Sequence, residues 1–511
     1  MFYAIGSIYS SDIFKVMSPI IELPHLDEIL LDRAKPLQQQ LYRQLHQLIL
    51  QGRLRPGFRL PSSRRLAETL GVSRNTVTLV LEQLKQEGFL ISRVGSGCYV
   101  NRQLPQDCLG LDAAVWESSV HPPELSLYAQ GLEEYRMRAD ADEGSADLPF
   151  TVGLPDLTCF PAATWSRILR RHSDRTCLMG FDDPMGYPPL REALSNYLAA
   201  SRGVRCKPEQ VLITQGAQQA LALCALVLLN PGEQVLVENP GYAGAREALL
   251  ARGAKLEPLP MGPQGVDTAA LPSQTEARLM YCTPTHQYPL GGILSAAQRL
   301  QLLDWAASQR LWIIEDDYDS EFHFHAKPIA ALQGMAPHTP VIYMGSFSKT
   351  LLPASRLGYL VVPESLANTF ATAKRYQGGD SPMLLQAAAA DFIAEGHFVR
   401  HLRRMRQCYQ RKWDHIHDLL IPLAGRVESL AESAGMHLVL QIDGVDDRVL
   451  CRAFHEQGFG GTPLSSYYLE GTKPRQGIVL GFAHSSRAER EDAVAVLKQL
   501  LESGVATASH Q

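Results

Sequence analysis

The chain has 511 residues, 45% of them hydrophobic, and a formal net charge of −5. This length is too great for one ordinary domain, and the hydrophobic content excludes a largely disordered chain. Its nine cysteines form no C-x-x-C pair, which argues against a disulfide framework or a zinc site and favours the reducing cytoplasm. No apolar run is long enough to span a membrane, and the N-terminus lacks the pattern of a signal peptide.

The charge is unevenly distributed along the chain. Residues 1–19 are a predicted tail, in which Met1 and Met17 are both open as the translation start. Residues 36–100 then contain nine Lys or Arg and three acids, a balance of +6 that leaves −11 for the remainder. A small basic segment on a large acidic body indicates that only this first part contacts a polyanion.

The segment 20–100 is predicted to form a domain of three helices and a β-hairpin. A short second helix is capped by Ser62 or Ser63 and ends at Gly71 in a tight turn, as in a helix-turn-helix. Ser73 is the predicted N-cap of the third helix. The apolar positions of the first and third helices share one helical face each and are Leu37, Leu41, Leu45, Leu48, Ile49, Val77, Val80, Leu81 and Leu84.

The third helix begins with a polar face made of Arg74, Asn75 and Thr78. Side chains of these types contact bases and phosphates when a helix N-terminus enters the major groove. The stretch "FLISRVGSGCYV" then alternates around a Gly-Ser-Gly turn, as a β-hairpin wing does. A small helical bundle with a solvated basic face is the alternative, but charge balance, helix lengths and hairpin together favour a winged helix-turn-helix.

This region resembles the GntR family of bacterial repressors in "GRLRPGFRLPSSRRLAETLGVSRNTV" and "EGFLISRVGSGCYV". The resemblance covers residues 36–100 and implies that the partner is double-stranded operator DNA. It also implies DNA contacts from Arg64, Ser73, Arg74, Asn75, Thr76 and, in the wing, Gly95.

Residues 101–147 are predicted to form a linker, because they contain three prolines and an acidic run with little periodicity. From 148 to 511, strand and helix patterns alternate, as in "QVLIT" followed by "GAQQALALCALVLL". Such alternation predicts a large α/β domain with a mostly parallel sheet and with ligands beyond the carboxyl ends of its strands. The expected fold is therefore multidomain, an α+β winged helix-turn-helix followed by a linker and an α/β body.

The stretch "GSFSKTLLPASRLGY" (345–359) places Lys349 among hydroxyl residues after the predicted strand Val341–Met344, with Arg356 close behind. A lysine in a pocket can form a Schiff base with an aldehyde, and hydroxyls with an arginine can hold a phosphate. An aldehyde that carries a phosphate indicates pyridoxal phosphate. On this stretch alone, a loop lysine in a Ser/Gly turn is the alternative.

Other candidate cofactor contacts follow other predicted strands. A glycine turn at a helix N-terminus offers free amides to a phosphate, and an aspartate can pair with a pyridine nitrogen and keep it protonated. Two tyrosines can donate to a ring hydroxyl or offer an aromatic face. These residues are Gly216, Ala217 and Gln218 for the turn, Tyr242 for the aromatic face, Asp316 for the nitrogen and Tyr318 for the hydroxyl.

The acidic run "EDDYDSE" also admits a metal site, because Asp317, Asp319 and Glu321 alternate. The run lacks the turn glycine of a calcium loop, and a solvated acidic turn is the commoner explanation of any one of these acids. Neither alternative explains why a phosphate turn, an acid and a lysine occur on successive strands. We therefore predict no metal.

The second part of the chain resembles the aminotransferases of pyridoxal phosphate fold type I in the ordered segments "TQGAQQAL", "ENPGYAGAR", "CTPTHQYPLGG", "IIEDDYDSEF" and "GSFSKTLLPASRLGY". Joined to the GntR-like segment, residues 20–500 resemble a MocR-type regulator. The resemblance implies that Lys349 carries pyridoxal phosphate as a Schiff base, with Asp316 on the pyridinium and Tyr318 on the ring oxygen. It further implies that the phosphate is held by Ser346, Ser348, Arg356 and the Gly216–Gln218 turn, and that His286 lies near the ring.

Two positions depart from the aminotransferase pattern. An arginine commonly grips the substrate carboxylate near the C-terminus, but Val479 stands at that place. A tyrosine commonly reaches the phosphate of the partner subunit, but Phe181 stands there. Arg246 is the remaining candidate for gripping an anionic ligand group, and we expect a standard amino-acid substrate to be poorly held.

The expected function is therefore a cytoplasmic, homodimeric transcriptional regulator whose pyridoxal phosphate domain senses a small amine, an amino acid or pyridoxal phosphate itself. A working aminotransferase with a DNA-binding head is one alternative, although a soluble transaminase has no use for a duplex. A DNA-binding protein with a cofactor-free dimerisation scaffold is the other. Lys349, Asp316 and Arg356 together weigh against that scaffold.

Overall fold

The computed structural model of the chain describes residues 29–33, 35–93, 96–104, 124–126, 128–132, 148–180, 183–324, 329–335, 340–379, 381–430 and 434–504. The chain divides into two compact units, Met1–Pro123 and Glu124–Gln511. The narrower limits 20–100, 101–147 and 148–511 stay predictions. In the described ranges, no helix combines the length and the apolarity needed to cross a membrane.

The first unit contains the three helices and the hairpin that the sequence predicts. Its elements are α1 (Leu37–Leu50), α2 (Ser63–Leu70), α3 (Arg74–Gln86), β1 (Leu90–Arg93) and β2 (Gly97–Val100). The two strands pair antiparallel, with Leu90 opposite Val100. This arrangement is a helix-turn-helix followed by a β-hairpin.

Local chemistry explains where these helices begin and end. The Ser62 hydroxyl accepts from the backbone of Arg65 at the start of α2, and the Ser73 hydroxyl accepts from Thr76 at the start of α3. Gly71 ends α2 in the left-handed conformation (φ 64°), which costs a glycine little. The predicted apolar positions of α1 and α3 form one core and are buried, apart from half-buried Leu37.

The second unit alternates helices and strands around a large sheet. Its helices are α4 (Ala162–His172), α5 (Pro188–Arg202), α6 (Ala217–Leu228), α7 (Ala243–Leu250), α8 (Ala296–Ser308), α9 (Leu332–Met335), α10 (Ala367–Tyr376), α11 (Met383–Ala394), α12 (His397–Leu420), α13 (Asp447–Glu456) and α14 (Arg487–Ser503). Its strands are β3 (Val211–Thr214), β4 (Gln234–Glu238), β5 (Lys255–Leu259), β6 (Met261–Gly262), β7 (Gly265–Val266), β8 (Leu279–Cys282), β9 (Trp312–Asp317), β10 (Val341–Ser346), β11 (Gly358–Val361), β12 (Glu428–Ser429), β13 (His437–Gln441), β14 (Thr462–Pro463) and β15 (Gly477–Gly481).

The large sheet has the strand order β3-β11-β10-β9-β8-β4-β5. Strand β11 pairs antiparallel with both of its neighbours, whereas the pairs from β10 to β5 are parallel. The prediction of a mostly parallel sheet is confirmed. Alternate residues of the same strands enter two different cores, for example Tyr343 on one face and Ile342 on the other. Helices therefore cover both faces, as a parallel sheet requires.

A second sheet forms the C-terminal part of this unit, with the antiparallel order β12-β13-β15-β14. Val479 of β15 lies opposite Val439 of β13. Segment 148–154 leads into this unit, and the Phe150 carbonyl accepts from the Gly481 backbone at 2.9 Å. The start of the α/β body is thus attached to β15.

Candidate functional site

The first candidate site is the exposed N-terminal face of α3. Arg74 and Asn75 are both exposed, and Arg64 extends from α2 with 81% of its side chain exposed. The Arg74 Nε donates to the Ser63 hydroxyl at 3.4 Å, so the two helices share a polar surface. A helix N-terminus with exposed Arg and Asn is suited to the major groove.

Ser73 and Thr76 have a structural role on the same face. The Ser73 hydroxyl accepts from the Thr76 backbone at 3.1 Å and lies 2.8 Å from the Thr76 hydroxyl. These bonds hold the first turn of α3, and the DNA contacts of both residues stay predictions. Gly95, predicted to lie in the wing, is outside the described residues.

The second candidate site is a cavity of about 390 Å³ at the carboxyl ends of the parallel strands. A cavity of this size and place is typical of ligand sites in α/β proteins. It brings together most of the residues predicted to bind the cofactor. They are Gly216, Ala217, Gln218, Tyr242, Asp316, Tyr318, Ser346, Ser348, Lys349 and Arg356.

Lys349 lies in the turn that follows β10, with its ammonium group turned into the cavity. Its Nζ donates to the carbonyl oxygen of Gly153. Burial lowers the pKa of this lysine, against the opposing charges of Asp319 and Asp316. A lowered pKa increases the fraction of neutral amine, which is the form that attacks an aldehyde.

Asp316 lies near the end of β9 and is 5% exposed. Its Oδ2 accepts a hydrogen bond of 2.7 Å from the Tyr281 hydroxyl. Burial raises the pKa of Asp316 to about 7, and the Tyr281 hydrogen bond opposes this rise. Because burial disfavours the charged form of this carboxyl group, a nearby cation such as a protonated pyridine would stabilise that form.

The cavity lining also offers hydrogen-bond donors that suit a phosphate. Gly216 is the N-cap of α6 and has a φ of 82°. Because the first backbone amides of a helix have no partner within the helix, the N-terminus of α6 can donate to a phosphate. The Ser346 hydroxyl accepts from the Ser348 backbone at 3.1 Å. Arg356 adopts a left-handed conformation (φ 48°), and no described residue pairs with its guanidinium group.

His286 does not line this cavity but lies behind Tyr318. Its Nδ1 is 2.9 Å from the Tyr318 hydroxyl and 2.9 Å from Asp319 Oδ2. The ring planes of His286 and Tyr318 are tilted by only 26°. The histidine is thus positioned to orient Tyr318 and Asp319, and the expectation that it lies near the ring itself stays a prediction.

Several residues that line the cavity were not predicted from the sequence to do so, and the polar or aromatic ones include Tyr281, Tyr288, Asp319 and His437. Gly153 is another, and a Cβ atom built there would lie 2.7 Å from Lys349 Nζ. These residues come from five separate segments of the chain. A strand-end position was the available signal for Tyr281, whereas nothing local indicates His437 or Gly153.

The three acids considered for a metal site each bind a different partner. Asp317 Oδ2 pairs with Arg202 Nε at 2.7 Å, and Asp319 bonds to His286. Glu321 Oε1 accepts from the Tyr197 hydroxyl at 3.2 Å. These carboxylates therefore stabilise the fold around the cavity.

The two departures from the aminotransferase pattern have different outcomes. Val479 is fully buried in an apolar cluster with Val439, Leu464 and Tyr467, whereas Phe181 lies outside the described residues. Arg246 is buried, and its Nη1 donates to the Tyr467 carbonyl at 3.0 Å. Arg246 is not among the described residues that line the cavity, so its contact with a ligand gains no support here and stays a prediction.

Comparisons with known proteins identify the family of each part of the chain. Residues 37–100 match the bacterial regulatory proteins of the gntR family, and residues 149–497 match aminotransferase class I and II. The chain is 40% identical over 462 residues to the probable rhizopine catabolism regulatory protein MocR of Rhizobium meliloti, covering 88% of this chain and 91% of that protein. It is 31% identical over 465 residues to the pyridoxine biosynthesis regulator PdxR of Corynebacterium glutamicum, covering 89% and 96%.

Among solved structures, the α-aminoadipate aminotransferase LysN of Thermus thermophilus superimposes with a TM-score of 0.66 at 26% identity. The match covers 74% of this chain and 97% of that protein, which was solved with N-(5'-phosphopyridoxyl)-L-leucine.

The fold and the two sites thus define a class of protein in which a winged helix-turn-helix precedes an aminotransferase-like domain. The cavity lining contains an amine, a buried carboxyl group and hydroxyl, guanidinium and backbone amide donors. These groups fit pyridoxal phosphate, and this is the cofactor that the domain takes. The chain belongs to the MocR-type transcriptional regulators.

Proposed function

We propose that this protein is a DNA-binding transcriptional regulator that senses a small ligand through pyridoxal phosphate held at Lys349. The observation that carries the proposal is the combination in one chain of an exposed recognition face on α3 and a cavity lined by Lys349, Asp316 and Arg356. The names of MocR and PdxR connect those relatives with rhizopine catabolism and pyridoxine biosynthesis. Both names support the sensing of a small molecule.

Each residue of the cavity has a distinct task in this proposal. The cofactor supplies an aldehyde for primary amines and an electron-withdrawing ring. Lys349 holds it covalently through Nζ, and Asp316 keeps the proton on the pyridine nitrogen. Tyr318 donates to the ring oxygen, while Ser346, Ser348, Arg356 and the amides of the Gly216–Gln218 turn hold the phosphate.

Ligand sensing and catalytic turnover make different demands on this cavity. Turnover requires that the substrate carboxylate be fixed so that the bond to be broken is aligned with the ring, and buried Val479 offers no charge for that purpose. Sensing requires only that the ligand bind one of two conformations better than the other. The cavity therefore favours a sensor over a working aminotransferase.

We expect the protein to act in the cytoplasm as a homodimer. A two-fold symmetric dimer presents two copies of α3 to two half-sites separated by whole turns of DNA. The effector is an amine, an amino acid or pyridoxal phosphate itself.

The test of this function measures DNA binding and turnover side by side. Footprinting of the region beside the protein's own gene, with and without pyridoxal phosphate and candidate amines, is expected to show ligand-dependent protection. Multiple-turnover transamination of common amino acids is expected to be negligible. Turnover in the ordinary enzyme range of roughly 1–10³ s⁻¹, without a specific footprint, would show that the protein is an aminotransferase.

Replacement of Arg74 by alanine is expected to weaken specific operator binding by about 1–3 kcal/mol, because a base contact of α3 is lost. Fluorescence anisotropy with the footprinted fragment, at one salt concentration, measures the effect. Arg43→Ala removes the same charge from an exposed position of α1 and is the matched control. Equal affinities of Arg74→Ala and wild-type protein would remove Arg74 from the interface.

A further inference from the structure

We infer that the ligand sensed in this cavity is an amine without a carboxylate group, and that His437 accepts a hydrogen bond from it. This inference rests on the proposed function, since it concerns the same pyridoxal phosphate site. It narrows the effector from three chemical classes to one.

The first argument is the inventory of charges in the cavity. Among the described residues that line it, the cationic side chains are Lys349 and Arg356. The proposed function uses Lys349 for the cofactor aldehyde and Arg356 for the phosphate. Asp316 is likewise assigned to the pyridine nitrogen, so among the described lining residues the acid that remains for the ligand is Asp319. Its negative charge favours a neutral or cationic ligand over an anionic one.

The second argument is the apolar wall beside Val479. Val152 and Tyr288 line the cavity and pack on the cluster that contains Val439 and Val479. Arg246 donates to the backbone carbonyls of Tyr467 and Ser466 and is not among the described residues that line the cavity. A ligand carboxylate placed here loses its water without gaining a cationic partner, which is costly.

The third argument is the state of the His437 ring. Its Nε2 lies 2.9 Å from the Pro289 carbonyl oxygen, and because a carbonyl only accepts, Nε2 carries the proton. Burial lowers the pKa of His437 to about 4, so the ring is neutral and its Nδ1 is an acceptor. No described residue hydrogen bonds with Nδ1, and the ring lines the cavity.

Together these arguments describe the ligand. It carries a primary amine for the cofactor aldehyde, a hydrogen-bond donor for His437 Nδ1 and no carboxylate. Tyr288 and His286 flank His437, with ring centroids 5.3 Å and 5.4 Å from it. Packing against these two rings and the hydrogen bond to Pro289 restrict rotation of the His437 ring.

The first experiment compares two probes that differ by one carboxylate, ethanolamine and serine. The holoprotein is titrated with each, and the change in visible absorbance gives an apparent Kd. We expect ethanolamine to bind at least tenfold more tightly than serine. Equal or tighter binding of serine would overturn the inference.

A second experiment tests the two side chains. Val479→Arg is expected to shift the preference at least tenfold toward serine, whereas Val479→Leu, the uncharged control, keeps the wild-type preference. The wild-type protein is expected to bind ethanolamine more tightly than ethylamine, and His437→Phe is expected to abolish this advantage. An unchanged advantage in His437→Phe would remove this histidine from recognition, whether or not Val479→Arg folds.

Failure of the inference is distinguishable from failure of the proposed function. A protein that holds pyridoxal phosphate and protects its operator, yet prefers serine, keeps the function and contradicts the inference. A protein that shows no cofactor absorbance and no response to any amine contradicts the proposed function itself.

Discussion

Replacement of Lys349 by alanine is expected to abolish all pyridoxal phosphate that borohydride can trap on the protein, because no other amine among the described lining residues can form the Schiff base. Weak, non-covalent binding of the cofactor is still expected, because Arg356, Ser346 and the Gly216 turn can hold its phosphate. Mass spectrometry of peptides after reduction locates the modified residue. The measurement needs no knowledge of the operator or the effector.

Lys349→Arg is the matched control for this variant, since it keeps a positive charge but forms no Schiff base. Both variants are expected to lose the trapped cofactor equally. A reduced pyridoxyl group on another lysine in either variant would show that the covalent site has been misassigned.

Replacement of Arg202 by methionine is expected to destabilise the α/β domain by about 3–5 kcal/mol, because it leaves a buried carboxylate unpaired. The Arg202 and Asp317 side chains are 3% and 1% exposed. Burial would raise the pKa of Asp317, but the Arg202 charge and the Tyr343 hydrogen bond outweigh it and lower this pKa. Unfolding in urea, followed by tryptophan fluorescence, measures the loss.

The exposed pair of Lys207 with Glu364 provides the control for Arg202→Met. Its side chains are 65% and 67% exposed, and such pairs contribute about 0–1 kcal/mol. Lys207→Met is therefore expected to unfold at nearly the wild-type urea concentration. Equal losses of stability in the two variants would show that the buried pair contributes no more to the free energy of unfolding than the exposed pair.

The DNA-binding domain was largely predictable because its signals are local. Ser73 caps α3 by accepting from the backbone amide of Thr76, three residues later. The spacing of the apolar residues determines which face of α3 is buried, and these residues are Val77, Val80, Leu81 and Leu84. Such relations lie within one turn or two of a helix. The strand-end positions of Asp316 and Lys349 were predictable for a similar reason, since each follows an apolar run.

The rest of the site depends on contacts between distant segments. Arg246 was interpreted as a ligand contact, but its partner, the Tyr467 carbonyl, lies 221 positions away. His437 reaches Pro289 across 148 positions, and its role depends on the register of a separate sheet. The periodicity of one segment does not indicate which distant residues it contacts. The set of charged side chains in the cavity is therefore known only from the folded structure.

Gly153 connects the lysine of the cavity with the beginning of the α/β domain. Its carbonyl accepts from the Lys349 amine, and it lies on the same short segment as Phe150, which is bonded to Gly481. This segment follows directly on the predicted linker 101–147. A group that binds covalently to the Lys349 amine therefore alters its hydrogen bond to Gly153, in the first segment of the α/β domain.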